Sequence, residues 1–398
     1  MSPNELLQTE PRPESYLDDR TTRAPGFRPS LFRSFFLGGF ECSSHRRGDR
    51  SRIDMMEATR HDVLAENDYR QLAGYGIRSV RDGLRWHRIE TSPGRYDWSE
   101  VLPMLRSAER LGTEVSWDLL HYGWPDDLDA WSGEFVDRFA RYAAAFARLH
   151  GEETGRAPTV CPVNEISFMA FAAGDRGWMN PWGIGRGGEF KRQMVRTALA
   201  GARAVREAAP GARILAIDPI INIAPRDGDD PEPVERYNGG QYEAWDMLFG
   251  HIAPELGGGP DAADVIGFNF YWNNQWIDNS HPLSPFDKRY IPPRELFRRT
   301  WERYGLPIFM AETSIEGDRR PGWLRFMGEE VRAAIRDGVP IEGMCLYPVL
   351  SHPGWDDGRY CPNGLLEMAT EGDGRVVDAP LLAELREQQR LFAAMFGD

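Results

Sequence analysis

Eight short apolar runs, each followed by an amphipathic helical stretch, constrain this 398-residue chain more than any other feature. The runs are SFFLGGF (34–40), GIRSVRD (76–82), TEVSWDLLH (113–121), PTVCPVNE (158–165), ARILAIDP (212–219), ADVIGFNFY (263–271), LPIFMAE (306–312) and IEGMCLYPVL (341–350). Between and after them lie segments with apolar residues at three- and four-residue spacing, such as FVDRFARYAAAFARLHGEE and WLRFMGEEVRAAIRDG, which read as helices packed by one face. Eight β-then-α units in one chain predict an α/β fold, a single (β/α)8 TIM barrel over residues 31–398. A doubly wound sheet would want a glycine-rich turn after the first strand, and SFFLGGFECSS lacks one. GIGRGG (183–188) follows a Trp/Pro-rich loop rather than a strand, so it does not read as a phosphate cradle. Residues 1–30, rich in Pro, Arg and acid and without periodicity, are expected to form a loosely ordered N-terminal arm.

Composition narrows the partners. With 47 basic and 61 acidic residues the chain carries a net charge of −14, a surface that repels phosphate backbones, so no nucleic-acid partner is expected. No apolar run is long enough to span a bilayer, so no membrane partner is expected either. The N-terminal stretch is polar and acidic where a signal peptide would be basic and then apolar. Cys42, Cys161, Cys345 and Cys361 show no metal-ligand or redox spacing and read as buried thiols, which together with the leader reading gives a cytoplasmic expectation. No cofactor and no metal are expected, because the eight histidines form no cluster with acids at ligand spacing. The oligomeric state is left open.

In a barrel of this kind the reactive groups gather where strands end. Those positions hold Glu41, Arg81 and Asp82, His121 and Tyr122, Asn164 and Glu165, Asp218, Asn269 and Tyr271, Glu312, and finally Tyr347, His352 and Trp355. Either glutamate of strands four and seven, taken alone, reads more readily as a structural or solvated strand end than as a catalytic group. Together they supply the two carboxylates that glycoside cleavage needs, one as acid/base and one as nucleophile. Glu165 is then expected to carry a proton at the outset and Glu312 to attack the anomeric carbon. Arg81 and Tyr271 would pair with Glu312, and Asn164 would bind the sugar 2-hydroxyl. Trp355, Trp124 and Tyr122 would offer flat faces to sugar C–H groups.

Several motifs, in order over about residues 35–367, make the chain resemble a clan A retaining glycoside hydrolase, a divergent relative of the family 1 β-glycosidases. SVRDGLRWHRIE resembles the family's strand-2 pattern through Arg81, Trp86, Arg88 and Ile89, and LLHYGWP its His-Trp segment, with His121 retained and Tyr122 in the tryptophan's place. PVNEIS matches the Asn-Glu acid/base motif, DVIGFNFYW the Asn-x-Tyr segment through Asn269 and Tyr271, and FMAETS the nucleophile segment at Glu312. The resemblance implies a carbohydrate or glycoside substrate and a retaining β-glycosidase with catalytic residues Glu165 and Glu312, supported by Arg81, Asn164 and Tyr271. Substrate contacts are then expected from Glu41, Arg46, His121, Tyr122, Asn269, Tyr347, His352 and Trp355. Two positions depart from the family. Glu41, His45 or Arg46 stands where a glycon-binding Gln is usual, and Gly354 stands where a glycon-binding Glu precedes the matching Trp355. Glycon recognition is therefore expected to differ, with His352, Asp356 or Arg46 reading a different or charged sugar. A transglycosidase using the same site and a non-catalytic carbohydrate-binding barrel are the alternatives.

Overall fold

A computed structural model describes residues 26–368 and 374–397. All eight predicted strands are present: β1 (Phe36–Gly39), β2 (Ser79–Gly83), β3 (Glu114–Asp118), β4 (Thr159–Cys161), β5 (Arg213–Pro219), β6 (Val265–Asn269), β7 (Ile308–Thr313) and β8 (Ile341–Leu346). They are parallel and close into a barrel in chain order, β8 pairing back to β1 through Phe36 opposite Met344. One principal helix follows each strand: α1 (His61–Gly74), α2 (Val101–Leu111), α3 (Gly133–Thr154), α4 (Gly187–Ala208), α5 (Glu243–Leu248), α6 (Pro293–Tyr304), α7 (Arg320–Arg336) and α8 (Ala379–Phe396). The expected N-terminal arm falls mostly outside the described residues. Its end, at Ser30, is tied to the barrel through its amide, which donates to Glu342 at 2.7 Å.

Strand alternation explains how the barrel fills. On β2, Val80 joins the layer between sheet and helices, while Asp82 meets His61 of α1 at 2.9 Å. Arg81, of opposite parity, points into the barrel. Cys161, Leu215, Ile217, Val265, Phe309 and Ala311 pack inside the barrel, with Leu31 and Phe32 against them. Space there is tight: a Cβ on Gly267 would lie 2.7 Å from Ile217 and 2.9 Å from Ala311, so β6 needs a glycine at that level.

Alternation would send Glu312 outward with Met310. Instead the pairing of β7 with β6 shifts register between Met310 and Glu312, an irregularity that re-aims the carboxylate into the barrel mouth. Thr313 then takes the outward place, accepting from the Trp323 indole of α7 at 2.8 Å. The regular part of β4 ends at Cys161, earlier than the sequence run. Beyond it, Asn164 donates its amide to Leu120 and Glu165 donates to Ile217, so the chain stays stitched to its neighbours as it turns. The GIGRGG loop spends its helix-start amide internally, Gly187 N donating to Asp175 at 2.6 Å.

Candidate active site

A cleft of about 370 Å³ opens at the C-terminal ends of the strands. Among its walls are Glu41, His121, Tyr122, Glu165, Tyr271, Glu312, His352 and Trp355. Behind these lies a buried polar layer. Arg81, fully buried, grips Asp118 of β3 with Nε and one terminal nitrogen at 3.1 and 2.7 Å. Its other terminal nitrogen donates to Glu312 Oε1 at 2.7 Å, while the terminal nitrogen on Asp118 also donates to Asn164 Oδ1 at 2.6 Å. Burial alone would raise the Asp118 carboxyl, but the Arg81 guanidinium and His121 outweigh it and hold it below the ordinary carboxylate range. Asp118 also accepts from His121 Nδ1 at 3.0 Å, fixing that ring.

The two glutamates sit in contrasting surroundings. Glu312 has Arg81 on one oxygen and the Tyr271 hydroxyl on the other, at 2.8 Å. Glu165 has no cation. Its oxygens accept from Asn269 Nδ2 at 2.8 Å and from the Tyr122 hydroxyl at 2.7 Å. Burial and then the Glu312 charge push Glu165 up to about 8, against the opposing pull of those two hydrogen bonds. Tyr122 and Tyr271, pushed up by burial and the two carboxylates, stay protonated and act as donors. Asn164 links the halves: Arg81 orients its oxygen, and its Nδ2 reaches the Tyr122 hydroxyl at 3.1 Å and Glu312 at 3.4 Å. Both Tyr122 (φ 70) and Glu165 (φ 50) hold left-handed backbone, a conformation costing a side-chain-bearing residue on the order of 1 kcal/mol.

Not every expected substrate contact faces the cleft. Arg46 does not: its guanidinium is held by Asp126 at 2.6 Å and by the Arg50 carbonyl at 2.8 Å, on the outer side of the loop after β1. Tyr347 is buried behind the cleft, its ring 5.0 Å from the Arg81 guanidinium carbon. Asn269 is likewise buried, positioning Glu165. Trp124 packs into the core on Phe135 at 5.4 Å. Tyr122, expected to offer a sugar-facing ring, instead directs its hydroxyl at Glu165. Trp355 stands against His45 at 4.9 Å and Tyr122 at 5.7 Å, closing the end of the cleft. Asp356 is exposed and Asp218 binds the Ser167 hydroxyl at 2.6 Å, outside the cleft.

Three of these groups, Cys42, Asp118 and His121, bring possible metal ligands within 4.8 Å of one another. A divalent ion there would press against the Arg81 guanidinium already on Asp118, so this cluster suits an ion pair rather than a metal.

The closed eight-stranded parallel barrel, with Glu165 and Glu312 in the cleft at its mouth, defines a (β/α)8 fold. Its fold is that of the family 1 β-glucosidases. The chain superposes on the family 1 β-glucosidase from Thermotoga maritima with a TM-score of 0.70 at 14% identity, covering 92% of this chain and 99% of that one. The Thermotoga maritima β-glucosidase in complex with glucoimidazole gives 0.71 at 14%, over 93% and 99% of the two chains. The AHE enzyme from Alicyclobacillus herbarius gives 0.72 at 14%, over 93% and 99%. No family model matches the sequence, and neither does any curated protein. Among the described residues, no helix is long and apolar enough to cross a membrane.

Proposed function

We propose that this protein is a retaining β-glycosidase, acting on O-glycosides by double displacement with Glu312 as nucleophile and Glu165 as acid/base. The observation that carries the reading is the contrast between the two carboxyl groups. One is paired with a guanidinium and a phenol; the other is cation-free and carries a proton at neutral pH. Two acids pushed into different roles by their surroundings are what double displacement requires.

In the first step Glu312 attacks the anomeric carbon as Glu165 gives its proton to the departing glycosidic oxygen. Arg81 and Tyr271 hold the attacking carboxylate in one orientation, so little reorganisation is left for the transition state. Ester formation removes the Glu312 charge, and with it the largest electrostatic influence that raises Glu165 beyond burial. Glu165 therefore becomes a stronger acid, remains as a carboxylate, and takes a proton from the incoming water in the second step. The four cysteines are buried and unpaired, which supports a reducing, cytoplasmic setting.

This mechanism fixes the sign of the pH dependence. The first step needs protonated Glu165, so kcat/KM should fall as pH rises through about 8. Tyr122 donates to Glu165 and so favours its charged form. Tyr122→Phe should move the alkaline limb upward by on the order of one pH unit, the worth of one hydrogen bond to a buried carboxylate. Hydrolysis of an aryl β-glycoside followed from pH 5 to 10 reads this. An unmoved or lowered limb would remove Tyr122 from the account, and a profile flat through pH 8 would remove Glu165 as the acid.

A further inference from the structure

The geometry points to a glycon that carries an ammonium group: we infer that the site takes glycosides of amino sugars in preference to those of neutral or acidic sugars. This rests on the glycosidase reading above and concerns what the cleft recognises.

Strand position divides the cleft. Glu165 follows β4, and the acid must stand beside the leaving group. Across the barrel, the ends of β8 and β1 supply Glu41, His352, Trp355 and Asn363, which therefore face the sugar that becomes attached to Glu312. That sector is rich in acceptors. Glu41, 7% exposed, uses one oxygen to accept the Ser43 amide at 3.0 Å. Burial opposes its ionisation, but His121, His352 and Ser43 outweigh burial and keep it below the ordinary carboxylate range. Asn363 spends its Nδ2 on His352 Nε2 at 3.1 Å, and its Oδ1 is buried without a partner.

Fixed cations are scarce in the same sector. The one guanidinium among the described residues lining the cleft is Arg359, and both its terminal nitrogens are bound by Glu316 at 2.7 Å. Glu41 has no Arg or Lys in salt-bridge range; the nearest titratable nitrogen is His121 Nε2 at 3.9 Å, in a ring already held by Asp118. His352 is engaged locally through both ring nitrogens, Nδ1 at 2.8 Å from the Pro353 carbonyl oxygen and Nε2 at 3.1 Å from Asn363 Nδ2. A buried carboxylate whose nearby counter-charges are imidazoles alone, in the same cleft as an orphan carbonyl, gains from a donor-rich cation. An ammonium supplies three donors and a full positive charge. A uronic acid or a sugar phosphate would bring further negative charge beside Glu41, Glu312 and Glu316, with Arg359 already taken.

The test is a panel of aryl β-glycosides in which the neutral sugar is compared with its 2-, 3-, 4- and 6-amino-deoxy forms, their N-acetyl derivatives and the corresponding uronide, assayed at pH 7. At least one free-amine substrate should exceed the neutral parent in kcat/KM by about ten-fold or more, the worth of one partly buried charge pair. N-acetylation should abolish that gain, and Glu41→Gln should collapse the amine-to-neutral ratio toward unity. Preference for the neutral sugar over every amine, or a ratio unchanged in Glu41→Gln, would overturn the inference and leave the glycosidase reading standing. No turnover of any glycoside would overturn both.

Discussion

Replacing Glu312 with Gln is expected to lower kcat by roughly 10⁴-fold or more, the scale on which loss of a covalent nucleophile is felt. The change is nearly isosteric, so Tyr271 can still reach the side chain while the attacking charge is gone. The fold should persist, because β7 is held by backbone pairing on both sides and Glu312 reaches into the mouth only from its end. A second consequence separates this from general damage. Without the Glu312 charge the largest influence raising Glu165 after burial disappears, so Glu165 should titrate at lower pH in the variant. Carboxyl-specific infrared or NMR titration of Glu165 in both proteins measures that shift. A variant that keeps activity within ten-fold of the parent would contradict the assignment.

Arg81→Met should have the second largest effect, and on stability as well as rate. Arg81 is fully buried, and its guanidinium stands between Asp118 and Glu312, with Asn164 as a third partner. Its removal strips two buried carboxylates of their shared guanidinium, a loss of about 3–5 kcal/mol for breaking a buried ionic network from one side. Asp118 gives the sign with pH. Arg81 is the first of the groups that hold its carboxyl below the ordinary range, so the lost stability is present above the unfolded carboxylate pKa and declines as pH falls. Urea unfolding at pH 7 and pH 3 should therefore show a larger gap between parent and variant at pH 7. Equal gaps at both pH values would mean that Arg81 contributes packing rather than charge. Activity should fall with it, since Asn164 loses the group that orients its amide and Glu312 loses its pairing cation.

The barrel was legible because closure around a ring of parallel strands demands a pattern that local sequence can express. Buried parallel strands read as apolar runs, and covering helices show one apolar face. Strand ends, and with them most of the candidate site, follow once the runs are counted. Four features were not legible in that way. Asp118 lies inside its strand rather than beyond it, so it belongs to no rim motif, although an acid in the run EVSWD was a signal that something buried must pair with it. Tyr122 has a ring, which suggested stacking; its left-handed backbone is what turns the hydroxyl toward Glu165. The aim of Glu312 depends on a register shift that no side-chain pattern encodes. Arg46 misled because a charged residue directly after His45, in the loop following the first strand, has its partner, Asp126, eighty residues away. Each of these turns on a non-local contact, the kind of information that periodicity and spacing leave out.

The central claim is that the glycosyl unit becomes covalently attached to Glu312. Incubation with a 2-deoxy-2-fluoro aryl glycoside, which slows the second step more than the first, followed by proteolysis and mass spectrometry, tests this directly. The account predicts one equivalent of label on the peptide containing Met310–Ala311–Glu312–Thr313, absent from Glu312→Gln. Label on any other carboxylate, or turnover of the same reagent without a covalent adduct, would contradict it.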